Sequence, residues 1–167
     1  MDLIVRYRES GWSVHLGDRA WPCAIGKGGI ISEKREGDGA TPVGCWPMRR
    51  VLFRPDRVTA PATVLPVAPL SPEDGWCDDP GDARYNQAVR LPYAGRHERL
   101  WRDDGLYDIL VVLGHNDSPP VAGCGSAIFL HVAGPGYAPT QGCVALAMPD
   151  LLSVLRTIDS NSRVCID

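Results

Sequence analysis

The chain has 167 residues, 18 Gly, 15 Pro and a formal charge of −3. Gly and Pro interrupt helix interiors, so a helical bundle is excluded, and the acidic balance disfavours nonspecific nucleic-acid binding. With 44% hydrophobic residues, five Trp and five Tyr, the chain can bury a core, and its length suits one domain over residues 1–167.

Leu3, Val5 and Tyr7 alternate with Arg6 and Arg8, a strand pattern over residues 2–8. Trp12–Leu16 and Trp21–Ile25 read as further short strands, with Gly11 and Gly17-Asp18 as turns. Ile25–Gly44 concentrates glycines and charges, as in a long exposed loop or hairpin. Val43–Phe53 resumes strand character, with Pro47 suggesting an edge or bulge. Residues 54–105 show no period and read as long loops with short embedded strands. Within them Trp76, Tyr85, Tyr93 and Trp101 mark Ser71–Arg102 as a wall or lid beside a cleft.

Tyr107–Leu113 and Ala127–Val132 are apolar runs of buried-strand length. The one good helix is Pro149–Ile158, with Leu151, Leu152, Leu155 and Ile158 on one stripe and Asn161 as a left-handed stop. Arg163–Asp167 closes the chain as a short strand. No apolar run reaches transmembrane length, and Met1–Ser10 lacks the apolar stretch of a secretory signal. Six cysteines permit three disulfides, but a chain of this size does not depend on bridges, and we expect most to be reduced and buried. There is no CxxC pair, the strongest zinc signature, and Asp78, Asp79 and Asp82 lack a calcium-loop spacing.

The chemistry concentrates in Phe129–Leu151. His131 lies near the end of a buried strand, and Cys143 follows Gly142 twelve residues after it. A free thiol is only about 3% thiolate at pH 7, and a neighbouring imidazole that takes its proton removes that limit. Gly142 suits a sharp turn in which two backbone N–H groups, those of Gly142 and Cys143, could face one oxyanion. Spacing alone leaves a buried structural His and an inert core Cys as the alternative.

Thr140–Leu146 (TQGCVAL) resembles the nucleophile motif of the YkuD-like L,D-transpeptidases, Phe129-Leu130-His131 their upstream strand, and Lys34–Gly44 (KREGDGATPVG) their Lys-x-Gly-x-x-x-Thr-Pro-x-Gly type of segment. The pieces stand in the family's order, from about Ile25 to Leu155. The resemblance implies a mainly β domain, a YkuD-like mixed sheet or sandwich with few short helices. It implies Cys143 as nucleophile, forming a thioester with a peptidoglycan stem peptide at diaminopimelate, and His131 as general base and then acid. The Val132 carbonyl would orient the His131 ring. It implies no metal or cofactor, no membrane span and a monomer acting in the cell envelope, although no exporting segment is visible and cytoplasmic action on precursors is an alternative.

Gln141 stands where the family usually has a second histidine, and Ala145 where many members have Arg or Asn. These departures leave the Cys–His chemistry intact and alter the substrate contacts. Candidate contacts are Thr140, Gln141, His115, Asn116, Ser126, Tyr137 and Arg35; His15 and His97 read as surface residues. The competing readings are an L,D-carboxypeptidase or amidase using the same acyl-enzyme, and a noncatalytic peptidoglycan-binding module.

Overall fold

Alternation builds the first meander in the computed structural model, which describes residues 1–167. β1 (Leu3–Arg8), β2 (Gly11–Leu16) and β3 (Arg19–Ala24) pair antiparallel in sequence. Their inward residues Leu3, Val5, Val14, Leu16, Trp21 and Cys23 are buried. β4 (Ile30–Ile31) and β5 (Thr41–Pro42) form a minimal parallel pair within the glycine-rich segment. That segment is not simply exposed: Ala40 and Thr41 at its end are buried.

β6 (Gly44–Phe53) is the longest strand, with β7 (Val67–Pro69) along part of one edge. Pro47 is followed by the expected irregularity: Val112 faces Arg50 but Leu113 faces Met48, leaving Arg49 as the extra residue. β8 (Asp74–Cys77), β9 (Ala88–Arg90) and β10 (His97–Arg99) form a separate three-stranded sheet out of the region read as loops with embedded strands.

β11 (Ile109–Leu113), β12 (Phe129–Val132), β13 (Val144–Leu146) and β14 (Arg163–Ile166) complete the large sheet. Its order is β11-β12-β13-β3-β2-β1-β14-β6-β7, and β6 also pairs with β11, so the sheet curls on itself like a barrel. The expected mainly β, mixed architecture is what is found, with parallel β1/β14 and β12/β13 pairs among antiparallel ones.

The single α-helix, α1 (Met148–Thr157), buries Leu151, Val154 and Leu155 in the main core with Ile109, Val111 and Leu113 of β11. Pro149 fits its first turn and Asp150 its positive end. The helix does not stop at a left-handed Asn161. Ile158 turns extended and its N–H still reaches Val154 O at 3.1 Å, while Asn161 N–H is taken by Asp159 Oδ1 at 2.9 Å. No helix is long and apolar enough to cross a membrane.

β11 is buried on both faces, and its even residues decide where the site lies. Leu110 and Val112 join Leu52, Trp76, Tyr107, Phe129 and Cys143 in a second apolar cluster on the side of the β8–β10 sheet. The cysteines divide: Cys45 and Cys165, opposite each other in the β6/β14 register, form a disulfide, while Cys23, Cys77, Cys124 and Cys143 are free.

Candidate active site

The parallel register of β12 and β13 sets Leu130 against Val144 and His131 against Ala145. Carried back one residue, it places Cys143 beside Phe129. Side chains alternate along strands, so Leu130 and Val144 point to the main core while Phe129, His131 and Cys143 share the other face. Strand spacing and rise put the Cα atoms of His131 and Cys143 roughly 8 Å apart on the diagonal.

His131 Nδ1–H donates to its neighbour's carbonyl, Val132 O, at 2.8 Å, as expected. That bond fixes the tautomer and leaves the Nε2 lone pair without a protein partner. Tyr107 packs edge-on to the ring at 5.2 Å between centroids. Burial holds the imidazole down, from an ordinary 6.5 to about 4. Burial also pushes the Cys143 thiol up to about 12, with the charge of Glu98 adding to the effect. The resting pair is therefore a neutral thiol and a neutral imidazole. The thiol donates to Ala127 O at 3.3 Å and accepts from Phe129 N–H at 3.4 Å. Its recorded acceptor is therefore Ala127 O, two residues before β12, and not His131.

The turn that presents Cys143 is pinned from two sides. Thr140 N–H donates to Ile25 O at 2.9 Å, and Lys27 N–H to Thr140 O at 2.8 Å. The Thr41 hydroxyl donates to Gly142 O at 2.9 Å and accepts from Gly26 N–H at 2.8 Å. Gly142 has φ +137°, and a Cβ there would stand 2.8 Å from Ala40 O. A Cβ at Gly26 would stand 2.3 Å from Gly39 O. Both glycines are needed for this approach of backbone to backbone.

One expectation about this turn, a free Gly142 N–H, needs correction. The Thr140 hydroxyl is consumed inside it, donating to Cys143 O at 2.6 Å and accepting from Gly142 N–H at 3.1 Å. Thr140 therefore shapes the nucleophile turn, and Gly142 N–H is not free for an oxyanion. The N–H groups of Cys143 and Gln141 are the unpaired ones.

Cys143 and His131 line one cleft of about 560 Å³, together with Thr140, Gln141 and Ser126. The Ser126 hydroxyl is turned to Glu36 Oε1 at 2.6 Å. The wall expected from Ser71–Arg102 is present, contributing Asp78, Arg96, Glu98 and Arg102. Four expected contacts lie elsewhere. Tyr137, on a short 3₁₀ turn over Pro135–Tyr137, does not line the cleft. Arg35, His115 and Asn116 line a separate depression of about 380 Å³. His115 is buried against Trp46, 4.7 Å between ring centroids, and Asn116 spends its amide on Val121 and Gly125 backbone. The two histidines expected at the surface are each half-buried: His15 meets Ser13 Oγ at 2.9 Å and His97 meets Gly95 O at 2.8 Å.

The sequence model of the L,D-transpeptidase catalytic domain, YkuD, matches residues 5–166. The chain belongs to the YkuD family. No curated protein and no solved structure matches it. Membership places this YkuD chain among L,D-transpeptidase catalytic domains, with their cell-wall theme.

Sequence reading missed several groups that assemble the YkuD cleft. Asn86 ties its wall to the start of β12, its Oδ1 accepting from Trp76 Nε1–H and Ala127 N–H at 3.0 Å each. Tyr85 OH donates to Glu36 Oε1 at 2.6 Å, and Tyr107 OH donates to Glu98. Tyr85 carried a signal as one of the aromatics of the expected wall, and Glu36 and Thr41 through their place in the Lys34–Gly44 segment; Asn86, Glu98 and the pairing of Tyr107 carried none.

Proposed function

We propose that the protein is a cysteine L,D-transpeptidase that cross-links peptidoglycan through a thioester. Cys143 attacks the carbonyl beside diaminopimelate in a donor stem peptide. His131 Nε2 takes the thiol proton and delivers it to the leaving amine. The N–H groups of Cys143 and Gln141 receive the developing oxyanion. The amine of a second stem peptide then resolves the thioester. This thiol chemistry calls for no metal or cofactor, and one copy of the chain carries both groups.

The observation that carries this reading is the shared face of β12 and β13, which brings Cys143 and a tautomerically fixed His131 into one cleft. The Cys45–Cys165 bridge supports an oxidising compartment, which agrees with action in the cell envelope. Incubation with disaccharide-tetrapeptides, read by mass, tests the reading. Dimers with loss of the terminal residue are expected. Trimmed monomers alone would assign a carboxypeptidase instead. Cys143→Ala should abolish turnover while leaving the thermal unfolding transition in place; equal activity in that variant rules the chemistry out.

A further inference from the structure

Three cations line the cleft, and each already holds a carboxylate: Lys34 pairs with Asp38, Arg96 with Asp78 at 3.1 Å, and Arg102 with Asp104. Two glutamates in the same cleft have no cation. Glu36 is held by the hydroxyls of Tyr85 and Ser126, and Glu98 by that of Tyr107. Glu98 lines the same cleft as Cys143 and His131, and its partner Tyr107 packs against the His131 ring. A carboxylate there opposes ionisation of the thiol, so it hinders the first half of the reaction. It becomes useful in the second half, when the sulfur is acylated and an amine arrives as its ammonium ion.

We propose that Glu98 is the base that takes the first proton from the incoming ammonium group and so selects an amine over water as acceptor. The inference rests on the thioester reading above. The ammonium gives one proton to the Glu98 carboxylate and becomes a neutral amine. Its lone pair forms the C–N bond to the thioester carbonyl, and the C–S bond breaks with its electrons going to Cys143 Sγ. The second nitrogen proton passes through His131 Nε2 to the sulfur, restoring the thiol, and Glu98 releases its proton to water. Water arrives uncharged and has no need of Glu98. Desolvation holds the partly buried Glu98 carboxyl above its ordinary 4.5, and Asp78 and Glu36 push the same way, while the Tyr107 hydroxyl and Arg102 oppose. The result is a stronger base than a free glutamate.

The test isolates the second half-reaction. The thioester adduct is formed with a disaccharide-tetrapeptide and confirmed by mass. It is then partitioned between a second tetrapeptide, whose amine is an ammonium ion near pH 7, and hydroxylamine, which is uncharged there. Glu98→Gln should lower transfer to the peptide amine about a hundred-fold relative to hydroxylamine, with recovery as pH rises toward the acceptor's own pKa. Equal loss with both acceptors, or no loss, overturns the proposal. Tyr107→Phe keeps the carboxylate but removes its hydroxyl donor, so the pH limb for amine transfer should move upward; an unmoved limb counts against Glu98. Failure of the unmodified protein to form any thioester would instead defeat the transpeptidase reading.

Discussion

One hydroxyl, that of Thr41, holds the glycine-rich segment, Gly26 just beyond β3 and the Cys143 turn together. Thr41→Val keeps the shape and leaves Gly26 N–H and Gly142 O without their partner. The expected cost is about 3 kcal/mol by urea unfolding, with a slower thioester-forming step, and Thr41→Ser should restore most of both. Two buried histidines contribute to the acid behaviour. Burial lowers His131 and His115 from 6.5 to about 4. The unfolded chain binds their protons near 6.5, while the folded chain refuses them until about 4. Unfolding therefore takes up protons in that window, and their contribution to stability is lost as pH falls through it. His115→Phe should reduce the slope of the unfolding constant against pH by about one proton between those values; an unchanged slope would show that His115 titrates alike in both states.

Elements with a local period were legible. β1, β2, β3, β11 and β12 announce themselves through alternation or apolar runs, because each buries a face or both faces of one sheet. α1 was legible through its leucine stripe. Leu155 is fully buried in it, so Leu155→Ala should cost about 2–5 kcal/mol in denaturant midpoint measurements. The β8–β10 sheet was not legible as a sheet, since its strands are three or four residues long and its burial comes from Trp76 packing on Phe129 at 5.1 Å. The candidate site divides the same way. Cys143, His131 and the Val132 carbonyl follow from one local strand–turn–strand. Glu36, Tyr85 and Glu98 enter through contacts between distant segments, such as Ser126 to Glu36, 90 residues apart. His115 and Asn116 misled because a polar pair after a buried strand looks the same whether it faces a cleft or closes its own loop.

At the scale of the whole molecule, the closed sheet brings the C-terminal strand β14 between β1 and β6, and Cys165 bridges to Cys45 across 120 residues of chain. Cysteine spacing could not foretell this pairing, because the Cα separation comes from the strand register and not from the sequence interval. A loop of that length restricts the unfolded chain strongly. Reduction, or a Cys45→Ala/Cys165→Ala double variant, should lower unfolding free energy by about 2–5 kcal/mol, measured by denaturant titration with and without reductant.

The same molecule thus carries a sulfur that is oxidised and another that the proposed chemistry needs reduced. The concealment of Cys143 reconciles them. At 7% exposure, and protonated by its surroundings, its sulfur offers neither the access nor the thiolate that peroxide or a foreign disulfide requires. Cys124 is only half-buried and so more accessible. In a timed peroxide exposure followed by peptide mapping, Cys124 should acquire oxygen before Cys143. The depth that keeps the Cys143 thiol protonated is then also what would spare it under the conditions that keep the Cys45–Cys165 bridge closed.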